Sequence, residues 1–101
     1  MNYLKDYNIT DEQISNIISV LKNNKVNVDL FLYDPEKIID ILNMFVSIGL
    51  NNLYEIIITS PSLFCDTVKS IQLRLDSYED KNELATLLNE DANNLFLVDL
   101  M

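Results

Sequence analysis

Histidine is absent from this chain of 101 residues, which has one glycine, two prolines and one cysteine. Without histidine the commonest general base and metal ligand at neutral pH is missing. A single glycine excludes a Gly-rich phosphate-binding loop. So few turn residues argue against an all-β fold, which needs many tight turns. One cysteine cannot close an internal disulfide, which fits a reducing compartment. No apolar run approaches the roughly 20 residues of a membrane span. The start, Met1 to Asp6, lacks the basic residues and apolar stretch of a secretory signal, so cytoplasm is the expected location. Cations are scarce as well: seven Lys and Arg stand against sixteen Asp and Glu, a net charge of −9. A protein making roughly 6–10 phosphate contacts would consume nearly all of these cations. Arg74 is the one arginine, which leaves little for bidentate base readout. Direct nucleic-acid binding is therefore not expected.

What remains is apolar and ordered, with 49% hydrophobic residues, the composition of a single globular domain. The stretch Asp34 to Gly49 organises it. Asp34 is an N-cap type, Pro35 fits the first helical position and Glu36 suits the positive end of the helix dipole. Gly49 falls where a left-handed C-terminal cap is needed. Between the caps, Glu36, Asp40, Asn43 and Ser47 form one narrow polar stripe. A helix apolar on its other faces belongs in a core, and Ile38, Ile41, Leu42, Phe45 and Ile48 are expected at its centre.

The flanking segments read as further helices. Thr10 and Gln13 form a capping box for a helix over about Asp11 to Lys22, with Ile14, Ile17, Ile18 and Leu21 at helical spacing. Val26, Val28, Leu30 and Leu32 alternate, but a lone strand has no partner, so an extended connection is expected there. Asn51 caps a short helix carrying Leu53, Ile56 and Ile57, which Ser60-Pro61 stops. Asp66 caps a helix with Val68, Ile71, Leu75 and Tyr78 on one face. Asp80 and Glu83 form a second capping box before Leu84, Leu87 and Leu88, the expected core face of the last helix. The fold expected is all-α.

Two markers repeat. Phe31-Leu32-Tyr33-Asp34, Leu63-Phe64-Cys65-Asp66 and Leu95-Phe96-Leu97-Val98-Asp99 are apolar clusters closed by an aspartate. Ile14-x-x-Ile17-Ile18, Leu53-x-x-Ile56-Ile57 and Leu84-x-x-Leu87-Leu88 run alongside. A period near 32 describes about three helical hairpins stacked into a short solenoid. The segment Ile41 to Leu50, with Ile48-Gly49-Leu50, followed by Ile56 to Phe64, with Pro61 and Leu63-Phe64, resembles the repeat of the mitochondrial transcription termination factor (mTERF) family. The resemblance implies a long helix ending in a Gly turn, a second helix and a short 3₁₀ turn. It covers one unit well, roughly Asp34 to Phe64. The third unit departs, with Asp76-Ser77-Tyr78 in place of the Gly turn. Family members are longer, basic arrays that bind nucleic acid, and this chain lacks those features.

No catalytic, cofactor-binding or metal-ligating set emerges, and the protein is not expected to be an enzyme. Cys65 lacks an activating base and shares the repeat position of Tyr33 and Leu97, so a buried structural cysteine is expected. Tyr3, Tyr7, Tyr54 and Tyr78 are either contact aromatics or tyrosines lying over the core with hydroxyls in water. Charge gives the candidate site. Residues 76–101 hold seven acids against Lys81 alone. Asp76, Glu79, Asp80, Glu83, Glu90 and Asp91 are the expected protein-binding residues, facing a basic partner, against the alternative of a solvated face that aids solubility. The function expected is a non-enzymatic interaction module. The alternatives are an mTERF-like protein acting on nucleic acid through a partner, and an acidic nucleic-acid mimic that blocks a DNA-binding protein. The apolar end, Leu95 to Met101, is expected to fold back in a monomer, or else to pair in a homodimer.

Overall fold

The computed structural model describes residues 2–26 and 28–95, apart from the side chain of Leu30. Among them every regular element is helical. After a 3₁₀ turn, Asn2–Tyr7, come α1 (Asp11–Asn23), α2 (Asp29–Tyr33), α3 (Pro35–Ser47) and α4 (Leu53–Thr59). A 3₁₀ turn (Pro61–Cys65), α5 (Val68–Asp76), α6 (Lys81–Glu90) and a last 3₁₀ turn (Ala92–Leu95) follow. The expected apolar cluster Phe96-Leu97-Val98-Asp99, with the fold-back or homodimer assigned to it, lies outside the described residues.

α3 begins at Pro35 as expected, although the Asp34 side chain makes no capping hydrogen bond. Its end is closed by two backbone bonds. Leu50 N–H donates to the Phe45 carbonyl at 3.0 Å and Gly49 N–H to that of Val46 at 3.0 Å. This requires the left-handed backbone that Gly49 adopts, φ 106°. The same paired closure ends two other helices without glycine. Asn8 (φ 63°) lets Ile9 N–H reach the Leu4 carbonyl, and Lys25 (φ 58°) lets Val26 N–H reach that of Leu21. Each closure brings an apolar residue beyond the helix back over one in its last turn. Leu4, Ile9, Leu21, Phe45 and Leu50 are buried, and Val26 packs against the core.

Side-chain caps hold the starts of α1, α5 and α6, while α2 and α4 have none. Thr10 and Gln13 form the full reciprocal box on α1. Asp80 accepts the Glu83 N–H at 3.0 Å on α6. Elsewhere the caps differ from expectation by one residue. Asn52, not Asn51, stands at the N-cap of α4. Thr67, not Asp66, caps α5 by accepting the Ser70 N–H. Asp66 instead accepts from Thr67 N–H, Ser70 and Arg74. The Thr67 N–H above all holds its carboxyl below the usual range; burial opposes it, and the Arg74 charge with the Ser70 and Arg74 hydrogen bonds adds to the lowering. The region expected to be extended holds α2, one short helix whose Phe31 side chain is buried. Of the alternating apolar residues, Val26 and Val28 pack against the core and Leu32 is exposed.

α1 packs on α4, and α3 packs on both α2 and α5. The turn Ala92–Leu95 lies against α4 and α6. Ile38, Ile41, Leu42 and Phe45 are fully buried as expected, whereas Ile48 is partly exposed. Phe64 sits between two other buried rings, 5.7 Å from Phe31 and 6.3 Å from Phe45, the latter edge to face. Such pairs add to the energy of burial. Phe31, Leu63 and Leu95, spaced by equal steps along the chain, are all buried. The repeat position occupied by Tyr33 and Cys65 is a surface one. Tyr33 is 80% exposed, and Cys65 is exposed, not the buried residue expected. On a single turn of helix only one face reaches the core, and this position lies on the other.

The N-terminal turn is held by tyrosines whose hydroxyls donate to other parts of the chain. Tyr3 donates to the Phe31 carbonyl at 2.6 Å and Tyr7 to Asn43 Oδ1 at 2.7 Å. The Tyr54 hydroxyl accepts from Asn16 Nδ2, joining α4 to α1.

Candidate functional site

α5 ends at Asp76, closed by Ser77 and Tyr78 N–H groups on the carbonyls of Arg74 and Leu75. Tyr78 therefore lies beyond α5, not on its apolar face, and is partly buried against the core. Four residues separate α5 from α6, and the chain turns there with Glu79 and Asp80 exposed. α6 then turns Leu84, Ala85 and Leu88 inward. Leu87, expected on that core face, is 37% exposed. It sits at the margin of the apolar face, where no neighbouring helix covers it fully.

The result is an open depression of about 460 Å³ over the turn and the first two turns of α6. Its apolar lining comes from Tyr78, Leu84 and Leu87, and Glu79, Asp80 and Glu83 line its remainder. Three of the six expected residues thus share one apolar-floored surface. Asp76 stands apart, taking the Lys81 ammonium at 2.9 Å and the Gln72 amide at 2.9 Å. Those two hydrogen bonds, Lys81's first, hold the Asp76 carboxyl below its usual range. Glu90 and Asp91 line a different depression, of about 570 Å³, between the end of α6 and the start of α4. The six carboxylates therefore do not form one surface.

Electrostatics distinguish the first depression. Lys81 is the one cation of residues 76–91, and it is engaged by Asp76. Among the described residues no Lys or Arg pairs with Glu79, Asp80 or Glu83. Asp80 caps the N-terminus of α6 and Glu83 sits in its first turn, where the helix dipole favours negative charge. The remaining cations are dispersed. Lys5 pairs with Asp11 at 2.9 Å, Arg74 with Asp66, and Lys37 donates to the Cys65 carbonyl.

The second depression is framed by asparagines that sequence reasoning missed. Asn51 N–H donates to Asn89 Oδ1 at 3.0 Å, and Asn89 Nδ2 donates to the Gly49 carbonyl at 3.0 Å. Asn52 Nδ2 and Asn94 Nδ2 donate to the carbonyls of Leu88 and Leu87. Asn52 and Asn94 satisfy carbonyls at the end of α6, and Asn52 and Asn89 fasten it to the α3–α4 turn. No local pattern marks Asn52 and Asn89, because their partners lie 36–40 residues away.

Among the described residues, no group of three or more His, Cys, Asp and Glu side chains is disposed to hold a metal ion. Nor is any described helix long and apolar enough to cross a membrane. Comparison with known proteins gives no match to any protein family, curated protein or solved structure.

Proposed function

We propose that this chain is a non-enzymatic helical-repeat module that binds a protein partner through the acidic depression at the start of α6. The single observation carrying the reading is that Glu79, Asp80 and Glu83 rim an apolar floor of Tyr78, Leu84 and Leu87 and have no cation partner among the described residues. An exposed apolar patch rimmed by charge is the usual form of a protein-docking surface. Acids placed only for solubility need no apolar floor between them.

The repeat reading belongs to the same proposal. Support for it comes from the packing of α1 on α4 and of α3 on α5, and from a left-handed Gly49 after α3 and a 3₁₀ turn opening at Pro61. Direct nucleic-acid binding is disfavoured, because Lys5, Arg74 and Lys81 are each engaged by a carboxylate.

Affinity capture from the native cell tests the reading, comparing the wild type with a Glu79→Lys, Asp80→Asn, Glu83→Lys variant. Asparagine keeps a capping acceptor at position 80. A partner retained by the wild type and lost by the folded variant supports the interface. Equal retention on both refutes it.

A further inference from the structure

Resting on that reading, we propose that the depression takes a cationic peptide segment presenting one apolar side chain between lysines or arginines. Shape and charge both contribute. A volume of about 460 Å³ is at the small end of ligand sites, roughly 300–1,000 Å³. Here it opens broadly to solvent, which suits a side chain projecting from a macromolecule. Leu87 is the exposed leucine of the floor, beside the partly buried Tyr78, and Leu84 is already buried. An anchor entering here covers Leu87 and the open part of Tyr78 and removes apolar surface from both partners, where binding energy concentrates.

Around this floor the charge has one sign. The cation nearest in sequence, Lys81, is held by Asp76, leaving Glu79, Asp80 and Glu83 as an acidic arc on the turn and first turn of α6 with no Lys or Arg partner among the described residues. A neutral or acidic segment would meet this arc unfavourably. Cations flanking the anchor satisfy it, steer the encounter and fix which way the anchor enters. The depression bearing Glu90 and Asp91 is less suited. Its walls are chiefly asparagine, glutamate and aspartate, and it offers Ile58 and Ala92 as apolar groups.

The experiment uses three short fluorescent peptides in a Gly/Ser background: one leucine flanked on each side by paired lysines, the same with alanine for leucine, and the same with glutamates for lysines. Binding to the full chain is followed by anisotropy, and the site by amide chemical-shift changes. Three results are expected. The Lys–Leu peptide binds, with shifts centred on residues 77–88, and weakens as salt rises to about 0.15 M. The alanine peptide binds about tenfold or more weakly, as loss of a buried leucine implies. The glutamate peptide does not bind. Leu87→Ser and Glu79→Gln/Glu83→Gln, which spare the Asp80 cap, should each weaken the Lys–Leu peptide. Equal binding of the leucine and alanine peptides overturns the anchor, and binding of the glutamate peptide overturns the charge requirement. Shifts centred on Glu90 and Asp91 overturn the site. If no peptide binds while a captured partner still depends on Glu79 and Glu83, the peptide class is wrong and the interface reading stands.

Discussion

Truncating Phe64 is the severest single test of the packing. Its ring is fully buried and lies between those of Phe31 and Phe45, at 5.7 and 6.3 Å. Phe→Ala in a core costs about 3–5 kcal/mol from lost transfer energy and the cavity left behind. Each aromatic pair is worth about 0.5–1.5 kcal/mol beyond burial, which places Phe64→Ala toward the upper end. Phe45→Ala, with one recorded ring partner, belongs lower in that range. A domain of ordinary stability has about 5–15 kcal/mol in total, so the Phe64 variant loses between about a third and all of it. At about 4–8 °C per kcal/mol for a domain of roughly this size, a melting temperature lower by more than about 12 °C is expected. Urea titration and thermal melts followed by helical circular dichroism measure it. A loss below about 1 kcal/mol would refute the aromatic centre and, with it, the placement of the Pro61–Cys65 turn against α3 and α4.

Further expectations concern the backbone and pH. Lys25→Gly should raise stability by up to about 1 kcal/mol, because lysine at φ 58° pays a left-handed penalty that glycine avoids; an unchanged urea midpoint would count against the α1 closure. Gly49→Ala should lower stability by about 1–2 kcal/mol through the backbone alone, since a Cβ there meets Ala85 Cβ at an ordinary 3.7 Å. The carboxyls of Asp66 and Asp76 are depressed in the folded chain. They contribute stability that is complete above their unfolded value near 3.9 and lost as pH falls through the folded one; the acid limb should shrink in an Asp66→Asn/Asp76→Asn variant. Burial, and secondarily Tyr7, raise the Tyr3 hydroxyl. Its contribution is complete below about pH 10 and lost as pH rises through the folded value, so Tyr3→Phe should flatten the alkaline limb of urea midpoint against pH.

The long helix was legible because its signals reinforce one another: Pro35 at one end, Gly49 at the other and a narrow polar stripe between. Gly49 could be placed because glycine is the residue the left-handed turn favours. Lys25 adopts a similar conformation, and nothing about lysine announces it. Phe31, Leu63 and Leu95 were legible as core residues, and all are buried. The exposure of Cys65 was not legible, since a single turn such as Pro61–Cys65 has too few residues to fix which side it takes. Leu87 failed for a related reason. Spacing with Leu84 and Leu88 identifies an apolar face, but how far that face is covered depends on neighbouring elements. In the candidate site the acidic residues were legible as composition. Their division into a paired Asp76, a rim of Glu79, Asp80 and Glu83, and a separate Glu90–Asp91 surface depends on how α5, α6 and α4 meet.

Hydrogen–deuterium exchange of the chain with and without its captured partner tests the docking surface most directly. Protection should concentrate in residues 77–88, over the α5–α6 turn and the start of α6, and diminish in the Glu79→Lys, Asp80→Asn, Glu83→Lys variant. Protection centred elsewhere on the chain, or none in this stretch while the complex persists, would contradict the assignment of Glu79, Asp80 and Glu83 to the interface.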